Sequence, residues 1–266
     1  MGNVMDLGLR GSVVVVTAAS GGLGRAIAEE FAAEGATTII AARNEARLNT
    51  AVEEIKRATG NAPIAYPADC TVEADIAALV RDTVQRHGRL DVMICNSVGP
   101  KTAPFDEMTD AGWRDALDVK VIAQIRMARE AFKAMKPQGS GAILFMAGTH
   151  GRQPRTYSVT AGVTNAALIN ASKVLAEAAA PFNIRVNAIN PGPIDTERMV
   201  YLVKEKAAEL NISEVEAKRI LADVTLLKRF GEPRELAATV VFFASARASF
   251  TTGTMLDIDG GQVQAI

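Results

Sequence analysis

The residues best suited to chemistry begin with a glycine-rich segment near the amino terminus. Residues 17–24 read TAASGGLG and lie between an apolar run, Val13–Val16, and an amphipathic helical pattern. Glycines let the backbone approach a diphosphate, and the free N–H groups at the start of a helix can bind it. The segment therefore predicts a dinucleotide site. Its expected members are Thr17, Ser20, Gly22, Leu23 and Gly24.

The residue that follows the second apolar run selects between two dinucleotides. Arg43 comes after Ala42, at the end of the run Thr37–Ala41. An acid at this position accepts a hydrogen bond from the ribose 2′-hydroxyl of NAD, whereas a guanidinium can pair with the 2′-phosphate of NADP. The sequence therefore favours NADP(H) over NAD(H). The alternative is that Arg43 is a solvated residue at the start of a helix.

Apolar runs of strand length alternate with helical patterns along the whole chain. Because the strands are apolar on both faces and are joined by helices, they predict a parallel sheet covered on both sides. Right-handed crossovers make such a sheet doubly wound, so we predict one α/β Rossmann-type domain over residues 1–266. The predicted strands are Val13–Val16, Thr37–Ala41, Ile64–Tyr66, Val92–Ile94, Ala142–Met146, Ile184–Ile189 and Met255–Ile258. The predicted helices are Leu23–Ala33, Glu45–Arg57, Glu73–His87, Asp110–Met135 and Gly162–Ala180.

Composition excludes several other classes of function. A formal charge of -1 without a run of Lys and Arg argues against a nucleic-acid partner. The apolar runs are too short for a membrane span, and the amino terminus lacks the apolar core of a secretory signal. Cys70 and Cys95 suggest neither a disulfide framework nor a metal site. We therefore expect a cytoplasmic protein without a metal ion.

Several motifs resemble those of the short-chain dehydrogenase/reductase family over nearly the whole chain. TAASGGLG is similar to the family motif TGxxxGxG, and CNSVG at 95–99 resembles its NNAG segment. IRVNAINPGPIDT at 184–196 is close to the IRVN and PGxxxT signature, and DIDGG at 257–261 resembles the last strand and turn. Two positions differ, since Ala18 and Val98 stand where the family usually has glycine.

The resemblance implies a nicotinamide-dependent oxidoreductase, with a homodimer or homotetramer as the usual assembly. It implies that Asn96 and Gly22–Gly24 hold the ribose and phosphates. It also implies that Asp69, which ends the third strand, contacts the adenine beside Cys70. Gly192, Ile194 and Thr196, which follow Pro191, are expected to hold the nicotinamide carboxamide.

The family usually performs its chemistry with an Asn, a Ser, a Tyr and a Lys. Counted back from Ile184, the Tyr position is Ala161 and the Lys position is Asn165. The Ser position is Gly148, and the Asn position is Lys120. All four residue types differ, and Asn and Lys have exchanged places.

Besides Asn165, three residues are candidates for the catalytic roles that the usual Asn, Ser, Tyr and Lys would fill. Lys120 lies on or beside the apolar stripe Trp113, Leu117, Val121, Ile125 and Phe132, so we expect it to point into the protein. Its alternative is a lysine at a subunit interface. Tyr157 and His150 are the candidate proton donors, and for each the alternative is a structural role in a loop.

Three hypotheses about function remain open. The leading one is an NADP(H)-dependent oxidoreductase acting on a small or medium organic carbonyl, alcohol or enone at a non-standard site. A polar, helical segment at Glu197–Asp223 supports it, because α/β folds place substrate lids after strand ends. The others are a lyase, hydrolase or dehalogenase-like enzyme on the same scaffold, and a pseudoenzyme that binds NADP.

Overall fold

The computed structural model describes residues 6–101 and 103–265, and within them the strands form one parallel sheet. The order across the sheet is β3-β2-β1-β4-β5-β6-β7. The strands are β1 Val13–Thr17, β2 Thr37–Ala42, β3 Ile64–Pro67, β4 Val92–Cys95, β5 Gly141–Met146, β6 Ile184–Pro191 and β7 Met255–Ile258. The predicted doubly wound α/β fold is confirmed, while the predicted limits at residues 1–5 and 266 lie outside the described residues.

Helices cover both faces of this sheet. They are α1 Gly22–Ala33, α2 Glu45–Thr59, α3 Glu73–His87, α4 Asp110–Ala116, α5 Ala123–Gln138, α6 Val159–Ala179, α7 Glu197–Leu210, α8 Glu214–Ala222 and α9 Pro233–Ala244. A π-helical segment, Leu117–Ile122, joins α4 to α5. In the described part of the chain, no helix has the length and apolarity that crossing a membrane requires.

The valines of β1 show why the sheet must be covered twice. Val14 and Val16 pack into one hydrophobic cluster with residues of α1, α2 and α9, whereas Val13 and Val15 pack into the other with residues of α3, α5 and α6. Alternate side chains of a strand point to opposite faces, so an unbroken apolar run requires apolar partners on both. The strand order also reverses beside β1, which creates a crevice at its carboxyl end.

Two features differ from the sequence-based prediction. Helix α9 was not predicted; it begins with Pro233 and a capping box between Glu232 and Glu235, and it packs against α1. The predicted helix Asp110–Met135 is helical, but it contains the π segment, and Leu117 at the start of that segment is 37% exposed. The predicted apolar stripe is therefore not buried along its whole length, whereas Lys120, Val121 and Gln124 are buried.

Candidate active site

A cavity of about 380 Å³ opens at the carboxyl ends of β1, β2 and β3. The structure brings into its lining five residues that the sequence assigned to a dinucleotide, namely Thr17, Ser20, Arg43, Asp69 and Cys70. A second hollow of about 810 Å³ lies between the start of α1 and the start of α7, and Gly22 and Thr196 both line it. The glycine-rich loop thus lies between two spaces that a long ligand could occupy.

The glycine-rich loop has the geometry of an anion cradle. Ala18 has a left-handed backbone conformation with φ 48°, which glycine adopts at a lower conformational energy than alanine. Gly22 is also left-handed, and a Cβ there would meet open space. In the described structure no side chain caps α1 and no acid lies in its first turn, so the helix start is free to bind an anion.

Gly24 is required for a different reason, because α1 lies directly against the end of β1. A Cβ at Gly24 would overlap the carbonyl oxygen of Ala18 and lie 2.9 Å from both Ala19 Cα and Asn96 Nδ2. Two of these atoms are backbone and cannot move aside independently. The loop therefore depends on glycine at this position for the close approach of helix and strand.

Thr17 contributes to the site as a positioning residue. Its buried hydroxyl donates to the carbonyl of Asn96 at 2.7 Å and accepts from the Asn96 N–H at 3.0 Å. These bonds tie the end of β1 to the loop after β4. Thr17 thereby holds Asn96 against the glycine-rich loop.

Two guanidinium groups lie at the carboxyl end of β2. Arg43 is exposed and lies 3.8 Å from the carboxylate of Asp69, which also accepts hydrogen bonds from Thr71. Arg47, which sequence reasoning missed, lines the same cavity and forms a 2.9 Å ion pair with Glu197 of α7. The sequence signal that could have identified Arg47 is its place in the first turn of α2, next to Asn44. The Asn44 side chain accepts a hydrogen bond from the Arg47 backbone N–H.

The end of β6 carries the last group of predicted ligand residues. Gly192 follows Pro191, and a Cβ there would lie 2.6 Å from the Cα of Asp259, so the turn must approach the end of β7 closely. Ile194 is buried and pairs with Gly231 in an isolated bridge. Thr196 is the residue before α7 and lines the second hollow.

Lys120 is buried at 7% exposure, at the carboxyl end of β5. Its Nζ donates to the carbonyl of Met146 at 2.8 Å and to that of Ala147 at 3.2 Å. The prediction that this side chain points into the protein is confirmed. Gln124, a second residue that sequence reasoning missed, also donates to the Met146 carbonyl at 3.0 Å and accepts from the Met146 N–H.

Burial, with a smaller contribution from the charge of Arg198, lowers the pKa of Lys120 to about 7. An ammonium surrounded by protein loses its hydration, while two neutral carbonyls compensate only part of that loss. Both protonation states of Lys120 are therefore accessible near neutral pH. A group with such a pKa can deliver a proton and recover it.

This lowered pKa predicts a pH-dependent stability for the variant Lys120→Met. At and below about pH 7 the native and unfolded states both hold the proton, so wild type bears the full cost of the buried charge. Above it only the unfolded lysine holds the proton, and wild-type stability gains about 1.4 kcal/mol per pH unit up to about pH 10. Urea denaturation at several pH values should show that the free energy of unfolding of K120M, relative to that of wild type, is highest at low pH. A difference between the two proteins that does not change with pH would contradict the assigned pKa.

Asn165 lies on the other side of the β5 end. It is 5% exposed, and its Oδ1 is buried with no hydrogen-bond partner among the described residues. A Cβ at Gly148 would lie 2.6 Å from Asn165 Nδ2, so the amide occupies the space that a side chain at 148 would need. A buried, unpaired acceptor is costly in a folded chain and suits a ligand that donates a hydrogen bond.

The two candidate proton donors lie together in the segment after β5. The rings of His150 and Tyr157 meet edge to face, with centroids 5.7 Å apart. Burial lowers the pKa of His150, with smaller contributions from Arg155 and Arg198, so the imidazole is mostly neutral at pH 7. Tyr157 is 64% exposed. Lys173, by contrast, is exposed on α6 and bonds the Gly253 carbonyl, away from this cluster.

Comparisons with known proteins agree over most of the chain. A family model described as enoyl-(acyl carrier protein) reductase matches residues 17–262. L-sorbose reductase from Gluconobacter frateurii, crystallised with NADPH and L-sorbose, is 34% identical and covers 98% of this chain and 100% of its own, with a TM-score of 0.93. The NADPH-dependent reductase BacG of Bacillus subtilis (strain 168) is 32% identical over 94% of this chain and 97% of its own length. Dehydrogenase/reductase SDR family member 4 of Caenorhabditis elegans is 32% identical over 96% of this chain and 96% of its own length. The chain therefore belongs to the short-chain dehydrogenase/reductase family.

Proposed function

We propose that the chain is an NADP(H)-dependent oxidoreductase that acts on a small or medium organic carbonyl, alcohol or enone at a non-standard site. The observation that carries the proposal is the pair of guanidinium groups, Arg43 and Arg47, beside the uncapped start of α1. This arrangement suits a dinucleotide diphosphate with a further phosphate on the neighbouring ribose. The NADPH named with BacG and with L-sorbose reductase supports the same cofactor.

The chain offers each part of NADPH a group of matching chemistry, and when bound this cofactor supplies the hydride. Gly22, Leu23 and Gly24 would bind the diphosphate, with Ser20 in the same loop. Arg43 and Arg47 would bind the 2′-phosphate. The adenine would lie near Asp69 and Cys70, the ribose near Asn96, and the carboxamide near Pro191, Gly192, Ile194 and Thr196.

The four family positions for Asn, Ser, Tyr and Lys hold Lys120, Gly148, Ala161 and Asn165 here. Two of these substitutions are physically linked, since Asn165 fits only because Gly148 has no side chain. We propose that Asn165 accepts a hydrogen bond from a hydroxyl group of the bound ligand, because its Oδ1 is buried and unpaired among the described residues. Lys120 then supplies the ammonium that the family carries on the neighbouring helix.

Lys120 would donate its proton to the substrate oxygen as the substrate carbon accepts hydride. The neutral amine that remains would recover a proton from solvent, which a pKa near 7 allows. His150 is neutral for most of its population and can assist as a hydrogen-bond donor to the same oxygen. Tyr157 would orient His150 through the edge-to-face contact of their rings.

The segment Glu197–Asp223 is proposed as a lid over this site. Its helices α7 and α8 share a small hydrophobic cluster of their own, separate from the two clusters that flank the sheet. The cluster contains Val203, Ala207, Ala217, Ala222 and Phe230. Elements held by a separate small core can open with less loss of packing than elements of the main core.

The proposal is tested by following NADPH consumption with a panel of ketones, aldehydes and enones. We expect NADPH to bind and at least one panel member to be reduced. Tight NADPH binding with no turnover of any member would overturn the enzymatic part of the proposal. It would favour a protein that binds the nucleotide without redox chemistry.

The preference for NADPH is tested by Arg43→Ala. Loss of one charged hydrogen bond to the 2′-phosphate should raise the NADPH dissociation constant by roughly tenfold to a hundredfold. The NADH dissociation constant should change little, because NADH has no such phosphate. Arg57→Ala, at an exposed arginine near the end of α2, is the matched control and should leave both values unchanged. Equal weakening of NADPH and NADH by R43A would contradict this role.

A further inference from the structure

Arg198 extends from α7 across the cleft to the loop after β4. Its guanidinium occupies the space where a Cβ of Gly99 would stand, so the first turn of the proposed lid contacts the opposite wall. The side chain is nevertheless exposed to solvent. Arg198 therefore reaches from α7 to the loop after β4 and still remains accessible to a ligand.

Arg198 belongs to a cluster of cationic or basic side chains. Gln124 donates to Ser97 Oγ at 3.1 Å and to the Met146 carbonyl at 3.0 Å. The loop that Arg198 contacts at Gly99 therefore lies beside the β5 end where Lys120 Nζ is bound. His150 follows the same strand end, and the charge of Arg198 lowers the pKa of both Lys120 and His150. Arg155 adds a further positive charge beside His150. Like charges held near each other in a cleft raise the local positive potential and attract anions.

No carboxylate neutralises this cluster within the part of the chain that the structure describes. The acids nearest to Arg198 in sequence are bound elsewhere, since Glu197 pairs with Arg47 and Asp195 pairs with Lys218 at 2.7 Å. Asp118, two residues before Lys120, pairs with Arg126 at 3.3 Å. The positive charge in the cleft is thus left for a ligand.

We propose that Arg198 forms a subsite for a carboxylate of the substrate beside Lys120 and His150, which face the carbonyl oxygen, so that the substrate is an oxo acid or the corresponding hydroxy acid. The inference rests on the proposed function and names its substrate class. A guanidinium can bind a carboxylate through two parallel hydrogen bonds, which fixes the orientation of the substrate as well as its charge. Arg198 on the lid would bind the carboxylate, while Lys120 on the sheet side would face the carbonyl oxygen of the same substrate.

Arg198 could instead bind a phosphate of the cofactor, so the test separates the two sources. The protein is first saturated with NADP⁺. Calorimetry then measures the binding of pyruvate, acetoacetate and levulinate, each compared with its neutral methyl ester. Wild type should bind at least one acid more tightly than its ester. Arg198→Gln should weaken the binding of that acid by roughly tenfold to a hundredfold and leave the binding of the ester unchanged.

Two further variants complete the design. Arg219→Gln removes another exposed charge, from α8 of the same segment, and should behave as wild type. Arg198→Lys should restore part of the affinity for the acid. The proposal is overturned if no acid binds better than its ester, or if R219Q matches R198Q. It is also overturned if R198Q weakens the binding of NADP⁺ and leaves the binding of the acid unchanged. A failure of wild type to bind NADP⁺ at all would sink the proposed function first and is seen in the same titration.

Discussion

Lys120→Met is expected to lower turnover by about 10²- to 10⁴-fold, the usual loss when a general acid is removed. NADPH affinity should change only a few-fold, because Lys120 lies at the end of β5 and not at the glycine-rich loop. Methionine fills a similar volume without a charge. Gln124 still donates to the carbonyl of Met146, so that carbonyl keeps a partner. Single-turnover rates of NADPH oxidation, measured beside NADPH affinity, separate chemistry from binding.

Lys173→Met is the matched control for this experiment. Lys173 is an exposed lysine on α6, and the exchange removes the same charge from a position outside the cleft. We expect K173M to turn over at the wild-type rate. Unchanged turnover in K120M, or an equal loss in K173M, would contradict the assignment of Lys120 as the proton donor.

Gly24→Ala is expected to weaken NADPH binding by roughly tenfold to a hundredfold. The added Cβ would overlap the Ala18 carbonyl and crowd Ala19 and Asn96, so α1 must move away from β1. Loss of one hydrogen bond from the displaced helix start to the charged diphosphate costs about 1.5–3 kcal/mol, which is roughly tenfold to a hundredfold in affinity. Overpacking of this kind also destabilises the fold by about 1–3 kcal/mol. Calorimetry with NADPH and urea denaturation measure the two effects.

Gly112→Ala controls for the general effect of adding a methyl group to a helical glycine. A Cβ at Gly112 would meet the flexible end of Met108 at 3.2 Å, and this side chain can move aside. We expect G112A to bind NADPH as wild type does. If G24A also binds normally, the close approach of α1 to β1 is not what shapes the nucleotide site.

Much of the fold could be predicted from the sequence because its strongest signals are local. The run Val13–Val16 is apolar at every residue, which only a doubly covered strand can bury, and the helix ends at Gly60 and Gly88 carry the expected left-handed glycines. Helix α9 was missed although its first turn has a readable signal. Glu232 and Glu235 form a capping box, and Pro233 stands at the first helical position, so both features mark a helix start.

The candidate site could be predicted from the sequence only where the type and position of a residue point to a single binding role. The glycine-rich loop and Arg43 fall into this class. Lys120 could be identified from the sequence, but the extent to which its pKa is lowered could not, because desolvation depends on everything that packs around the ammonium. Arg47 and Arg198 were missed for the same reason. Each is an ordinary helical arginine in sequence, and only folding brings it to the glycine-rich loop or to Gly99.

The most direct test of the account is the transfer of deuterium from NADPH labelled at C4 to a carbonyl or oxo acid substrate. We expect the product to carry deuterium on the carbon that bore the oxygen, and K120M to yield far less labelled product in the same time. If the protein binds NADPH yet no product from any substrate in the panel carries the label, the chain does not act as the hydride-transferring enzyme described above.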